Sequence, residues 1–129
     1  MKRQDIYDGT EASKAYARAV RFGNQVHVSG TTAMAPGGKV VGGDLYGQCK
    51  ETYRKIASVL AKAGAGMADV VRIVAYVTDI GEPDGFNRAT IEVFEPTGVR
   101  PAATLVEISR LYTPEMLVEI EAYALVAED

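Results

Sequence analysis

Residues 69–79 read DVVRIVAYVTD, and this stretch decides the fold. The run is dense in the β-branched residues that favour strands over helices. Apolar side chains occupy both odd and even positions of the run, and these positions point to opposite faces of a strand. The strand is therefore expected to be covered on both faces. It is therefore predicted to lie inside a sheet rather than at its edge.

Helix signals stand on both sides of this strand. Asp44 has the character of an N-cap, apolar residues recur at spacings of three and four through residues 45–63, and Gly64 suits a helix C-terminus. After the strand, residues 82–85 (EPDG) start a second helix that is expected to end before Pro96. The strand is thus predicted to connect two amphipathic helices.

Further strand signals lie towards both ends of the chain. Residues 16–28 alternate around Gly23-Asn24 and predict a β-hairpin. A short extended piece is expected at residues 39–41, and two more strands at residues 102–108 and 117–126. The order ββ(β)αβαββ predicts an α+β fold, in which two helices cover one face of a mixed sheet of five or six strands. A length of 129 residues suits one domain, residues 1–129.

The uncovered face of such a sheet predicts a homo-oligomer. Two helices cover only one face, and the rows Ile73-Ala75-Val77 and Val118-Ile120-Ala122 are very apolar for a surface in water. Apolar patches of this size are normally buried against a partner. Another copy of the chain is therefore expected to cover them.

The composition narrows the function classes. The chain is 47% hydrophobic and 24% charged, as in an ordinary globular protein, and its net charge of −3 offers no basic surface for nucleic acid or anionic membrane. Cys49 and His27 are the only residues of their types, so neither a metal site nor a disulfide is expected. Cys49 is expected to be a buried apolar residue and His27 a structural one.

The N-terminus is polar and no long apolar run follows, so a cytoplasmic location and no membrane partner are expected.

Three segments occur in an order that resembles one known family. They are residues 28–30 (VSG), residues 64–80 with the decisive strand, and RPAATLVE (100–107) followed by VEIEA (118–122). In this order they are similar to the RidA/YjgF family of enamine and imine deaminases, over nearly the whole chain. The resemblance implies a chorismate-mutase-like α+β fold and a homotrimer with ligand clefts between subunits. It also implies chemistry without a cofactor or a metal.

The resemblance assigns roles to several residues near the C-terminus. In active deaminases of the family, a glutamate on the last strand positions the attacking water, and Glu119 falls on that position. An arginine in a Pro-Ala-Arg-Ser/Thr motif binds the substrate carboxylate, but this chain has Ala103, followed by Thr104. Leu105 stands where a cysteine is often found. A small α-imino acid is therefore a poor candidate substrate, because alanine supplies neither the charge nor the geometry of a guanidinium.

Three further positions match the family's ligand cleft. Tyr16 falls on an N-terminal tyrosine, Ser29 on the serine before a glycine, and Asn87 on an asparagine of the second helix. Each also has an ordinary interpretation: a packed aromatic, a strand-ending turn and a helix-surface residue, respectively. Glu121, two residues after Glu119, is expected to be a solvated or interface residue.

Two hypotheses of different classes follow. The first is a cleft protein that binds a small metabolite and hydrolyses an imine or enamine through water held by Glu119. The second is a trimer that binds or senses a metabolite without turnover, having lost the chemistry together with the arginine replaced by Ala103. The ribonuclease or translation-inhibitor role attached to the family fits poorly with the net charge and the single histidine.

Overall fold

A mixed sheet organises the chain, and the computed structural model describes residues 2–127. Within that range the elements are, in chain order, β1 (Arg3–Ile6), β2 (Ala19–Phe22), β3 (Gln25–Thr31), α1 (Leu45–Lys62), β4 (Val70–Val77), α2 (Asp84–Phe94), β5 (Ala102–Glu107) and β6 (Val118–Leu125). Short 3-10 turns at Met67–Asp69 and Glu95–Thr97 precede β4 and follow α2. The predicted α+β class is confirmed.

The strands of the described residues are ordered β1-β2-β3-β6-β4-β5 in a six-stranded sheet. Neighbouring strands are antiparallel except β4 and β5, which run parallel. A parallel pair needs a long crossover connection, and α2 lies in that connection. Since β4 lies between β6 and β5, the prediction of an interior strand is confirmed.

The helix boundaries follow the capping signals. The Asp44 carboxylate accepts a hydrogen bond from the Gly47 amide at 2.8 Å, which fixes the start of α1. Gly64, with a φ of 79°, adopts the left-handed conformation that turns the chain after the helix. The second helix ends before Pro96, as predicted.

One strand prediction in the N-terminal half is wrong, and the sheet has one strand that the sequence pattern does not predict. The predicted hairpin is present as β2 and β3. The extended piece at residues 39–41 is not a strand of the sheet, because its pairing is a single isolated bridge between Met34 and Val40. The additional strand is β1 instead, whose sequence RQDI is mostly polar. It is held by backbone pairing with β2, and apolar periodicity carries no signal for such an exposed edge strand.

The helices pack on the sheet face that holds the rows Ile73-Ala75-Val77 and Val118-Ile120-Ala122. Every residue of these rows is buried within a single chain. The expectation that another copy covers these rows is therefore wrong. The alternation of side chains along a strand shows which residues share a face, but it does not show which face the helices cover. On the helix side, Tyr53 meets Phe94 edge to face at 5.8 Å between ring centroids, and Cys49 is fully buried, as predicted.

The face away from the helices carries a polar network. The hydroxyls of Tyr76 and Tyr123 both donate to the Glu121 carboxylate, and the Arg72 guanidinium donates to Thr104 Oγ1 at 2.9 Å. His27 lies on the same face, with its ring edge to face with Tyr123 at 5.6 Å. A homo-oligomer stays a prediction, and this partly polar face is the one available for it. Among residues 2–127, no helix is long and apolar enough to cross a membrane.

Candidate functional site

A cavity of about 490 Å³ opens where the end of β3 meets the start of β6. It brings together three of the predicted site residues, Tyr16, Ser29 and Glu119. Sequence reasoning missed several of the other residues that line it. The full lining consists of Thr10, Ala12, Ser13, Tyr16, Arg18, Ser29, Gly30, Thr32, Met34, Lys55, Tyr112, Met116 and Glu119.

A β-bulge in β3 shapes this end of the sheet. Val28 pairs with Ala122 and Thr31 with Ile120, so two residues of β3, Ser29 and Gly30, fit into a space that one residue would normally fill. A bulge re-aims the strand locally and is frequent beside active sites. Here it places the Gly30 backbone directly against the Glu119 side chain.

Gly30 leaves room that the Glu119 carboxylate occupies. A Cβ atom added at Gly30 would lie 2.1 Å from Glu119 Oε2 and 2.9 Å from its Cδ. These distances are far below van der Waals contact, so an alanine here and the present Glu119 rotamer exclude each other. The glycine of the VSG segment is thus explained by the close approach of the carboxylate.

Replacing Gly30 with alanine is therefore expected to displace the Glu119 carboxylate while the fold is kept, because a flexible side-chain end yields more easily than the sheet. The ¹³C resonance of the Glu119 carboxyl group should shift in Gly30→Ala. Gly66→Ala is the matched control, since its added Cβ has no heavy atom within 4 Å. An unchanged Glu119 resonance in Gly30→Ala would contradict this contact.

The electrostatics of Glu119 suit a proton acceptor. Burial raises the pKa of this half-buried carboxyl above its usual range, Arg18 acts to lower it, and Glu121 acts to raise it. The net result is a raised pKa, and a carboxylate with a raised pKa is a stronger base than a solvated one. Glu119 is accordingly the group in the cavity best suited to take a proton from water.

Two buried cations line the same cavity as this carboxylate. The Arg18 guanidinium donates to the carbonyls of Ser29 and Gly30 and to the Thr31 hydroxyl. The Lys55 ammonium donates to the carbonyls of Thr32 and Met34, each at 2.8 Å, and burial lowers the pKa of this lysine. Nothing local in the sequence marks these residues, since Arg18 precedes a short strand and Lys55 occupies a helix among other charged residues.

The hydroxyl groups of Tyr16 and Ser29 can form different hydrogen bonds with a ligand. The Ser29 hydroxyl donates to the Ala17 carbonyl at 2.6 Å, so its oxygen lone pairs are what it can offer to a ligand. The Tyr16 hydroxyl accepts from the Ala12 amide at 2.8 Å, a bond that leaves its own proton to donate. Tyr16 therefore supplies a donor and Ser29 an acceptor at the cavity wall.

The remaining predicted site residues lie elsewhere in the chain. Asn87 is exposed on α2, and Ala103 is exposed on β5 in register with the buried Ile73. Leu105 packs at the edge of the core, whereas Thr104 faces the opposite side of the sheet, where it accepts from Arg72. The structure does not bring these four residues to the Glu119 cavity within one chain.

The sheet register explains this separation. Glu119 pairs with Tyr76 on β4, and Tyr76 pairs in turn with Val106 on β5. Because Ala103 is three residues before Val106, its side chain points to the other face of the sheet from Glu119. Within one chain, Ala103 and Glu119 therefore do not face a common space.

Residues with other chemistry stay outside the cavity. The His27 Nε2 atom lies 3.1 Å from Gln25 Oε1 on the polar face, consistent with the structural role expected for His27. Burial raises the pKa of the Cys49 thiol to about 12. Within residues 2–127, no group of three or more His, Cys, Asp or Glu side chains is placed to hold a metal ion.

The fold and the cavity together define a class: a two-layer α+β protein with a half-buried carboxylate at the end of its sheet. The family model described as Endoribonuclease L-PSP matches residues 8–126. A RutC family protein of Pyrococcus abyssi is 34% identical over 110 residues, which are 84% of each chain.

Solved structures agree with this match. A crystal structure from Mycobacterium tuberculosis, titled as a member of the YjgF/YER057c/UK114 family, has a TM-score of 0.86 at 38% identity and covers 97% of this chain and 100% of that one. A Rid family protein of unknown function from Yersinia pestis has a TM-score of 0.87 at 28% identity, covering 97% and 100%. The chain belongs to the YjgF/Rid family.

Proposed function

We propose that this protein is a cofactor-free hydrolase of a carbon–nitrogen double bond in a small imine or enamine. Glu119 activates the water, and the ligand lies in clefts between the subunits of a homotrimer. The observation that carries the proposal is the Glu119 carboxylate, half-buried against Gly30 in a 490 Å³ cavity with a raised pKa.

The chemistry balances with groups of this cavity. The Glu119 carboxylate accepts a proton from water while the water oxygen attacks the imine carbon, and the C=N π electrons move to nitrogen, which takes that proton from Glu119; an enamine reacts as its imine tautomer. In the resulting carbinolamine, Glu119 takes the hydroxyl proton and passes it to the nitrogen, which departs as ammonia and leaves a carbonyl product. The sum is imine plus water to carbonyl plus ammonia, with Glu119 regenerated. The Tyr16 hydroxyl, which lines the cavity and keeps its proton, donates a hydrogen bond to the substrate in this proposal.

The separation of the site residues supports a cleft shared between chains. Tyr16, Ser29 and Glu119 line the cavity of one chain, and exposed Asn87 and Ala103 lie where a neighbouring copy can contribute them. Ala103 itself supplies no cation at its position. The substrate is accordingly an imine or enamine that does not need a carboxylate anchor at this position, rather than a small α-imino acid.

A second candidate function is a trimer that binds a metabolite without turning it over. The specific observation in its favour is Ala103, because the change removes the substrate anchor of active relatives while the Glu119 cavity persists. RNA cleavage, the activity named in the matched family model, is less well supported. His27, the single histidine, lies outside the cavity, and the chain has a net charge of −3.

A substrate panel separates the two candidates. Imines of several sizes, with and without a carboxylate, are generated in place by an amino acid or amine oxidase, and carbonyl and ammonia release is followed. If the protein is a hydrolase, it should release carbonyl and ammonia from at least one uncharged or bulky imine faster than the same imine hydrolyses without the protein. Ligands that raise the melting temperature while none of the panel is turned over would favour the binding protein instead.

A further inference from the structure

A buried guanidinium in the cavity lacks an anionic partner. Arg18 is 3% exposed, and its hydrogen-bond acceptors are neutral: two carbonyls and a hydroxyl, all on the bulge of β3. Its Nε atom is buried with no partner among residues 2–127. A buried cation without a counterion is costly, so its retention calls for a reason beyond packing.

The same bulge residue meets both Arg18 and Glu119. The Gly30 carbonyl accepts from Arg18 Nη1 and Nη2, at 3.3 and 3.2 Å, while the Gly30 Cα packs against the Glu119 carboxylate. Among residues 2–127 the ion pairs are surface pairs, and neither Arg18 nor Glu119 belongs to one. The guanidinium and the carboxylate therefore both contact Gly30 and form no ion pair with each other.

We propose that Arg18 is the positioning residue for Glu119: it clamps the bulge that seats the carboxylate and supplies the positive charge that keeps it ionised. The inference rests on the proposed function of Glu119 as a base. A direct ion pair would occupy the carboxylate lone pairs and weaken the base, whereas an offset charge favours the ionised form without occupying those lone pairs.

The other charged and titratable groups around Glu119 do not replace this charge. Glu121 on β6 acts in the opposite direction, and its carboxylate is bound by the hydroxyls of Tyr76 and Tyr123. Lys55 of α1 lines the same cavity but is committed to two loop carbonyls. Tyr16 and Tyr112 complete this wall, and Arg18 also acts to lower the pKa of the Asp8 carboxyl.

Removing Arg18 therefore leaves Glu119 under burial and Glu121, both of which raise its pKa. The test is the ¹³C-carboxyl titration of Glu119 by NMR, which needs no substrate, in Arg18→Gln, Arg18→Lys and a charge-matched control. Arg21→Gln is that control: Arg21 lies on β2, three residues after Arg18, and donates to the carbonyls of Gly23 and Ala63, none of which lines the cavity.

The expected result is a Glu119 midpoint at higher pH in Arg18→Gln and an unchanged midpoint in Arg21→Gln. The acidic limb of kcat/KM should move in the same direction in Arg18→Gln. Arg18→Lys keeps the charge but not the guanidinium fork, so the midpoint should stay near that of the unmodified protein while the amide resonances of residues 29–31 shift.

An unchanged or lowered midpoint in Arg18→Gln would overturn the proposal. If that variant does not fold, Arg18→Lys tests the proposal alone. Unshifted amide resonances of residues 29–31 would show that the guanidinium does not hold the bulge. A raised Glu119 midpoint would show that a positive charge at position 18 is not enough to keep Glu119 ionised. The outcomes also separate this inference from the proposed function. A shifted Glu119 titration in Arg18→Gln without turnover of any imine supports the role of Arg18 and contradicts the hydrolase proposal. Imine turnover with an unshifted titration supports the hydrolase proposal and contradicts the role of Arg18.

Discussion

Glu119→Gln is expected to lower the turnover of the best imine substrate by about 10²- to 10⁴-fold, the usual contribution of a general base. The glutamine side chain has nearly the same shape, so it still fills the space left by Gly30. Its amide does not accept a proton from water, which leaves the attacking oxygen a much weaker nucleophile. The loss should appear mainly in kcat, because the substituted side chain still lines the cavity.

The measurement is initial-rate kinetics with purified variant and unmodified protein on the same imine. Glu92→Gln is the matched control, since Glu92 is a hydrogen-bonded glutamate on α2. Neither Glu92 nor its partners Tyr46 and Lys50 line the cavity. Its activity should equal that of the unmodified protein. A Glu119→Gln enzyme that works within a few-fold of the unmodified one would remove Glu119 from the mechanism.

The same variant is expected to be more stable than the unmodified protein near neutral pH. Burial is the largest influence on the pKa of Glu119 and raises it, so the folded state binds this proton more tightly than the unfolded chain. The stability gained from that proton is present below the ordinary glutamate pKa and is lost as pH rises through the raised one. Melting temperatures measured from acidic to neutral pH should show a gap in favour of Glu119→Gln that opens as pH rises. A gap that closes as pH rises would contradict the raised pKa.

The parts of the fold that sequence predicts are those that local chemistry dictates. The Asp44 cap and the β-branched density of β4 each depend on near neighbours in the chain, and both are present as expected. β1 was missed because a polar edge strand is held by backbone pairing rather than by side-chain burial. The face covered by the helices was assigned wrongly, since that choice depends on the packing of elements far apart in sequence.

The site shows the same division. Tyr16, Ser29 and Glu119 line one cavity, whereas the other predicted site residues lie elsewhere in the chain, and the role of each stays a prediction. The buried partners Arg18 and Lys55 were not predicted, because each acts through backbone carbonyls brought close by the bulge and the following loop. No pattern of residue types encodes a contact of that kind.

Ala103→Arg is expected to raise kcat/KM for small α-imino acids by about 10- to 100-fold, since a hydrogen bond to a charged group contributes about 1.5–3 kcal/mol. Position 103 tolerates the longer side chain, because Ala103 is exposed on β5, at the edge of the sheet in one chain. The gain depends on a cleft shared between copies, as Ala103 and Glu119 point to opposite faces of the same sheet. It should therefore be specific to substrates that carry a carboxylate.

Ala102→Arg is the matched control for this gain. Ala102 is also exposed but pairs with Arg72 rather than Ile73, so its side chain points to the opposite face from that of Ala103. Turnover of imino acids measured for both variants should rise with Ala103→Arg alone. An equal rise in both would mean that added charge, rather than a placed guanidinium, attracts the substrate. If imino acid turnover rises in neither variant while turnover of uncharged imines is unchanged, position 103 does not face the ligand. The ligand site would then consist of the residues around Glu119 alone.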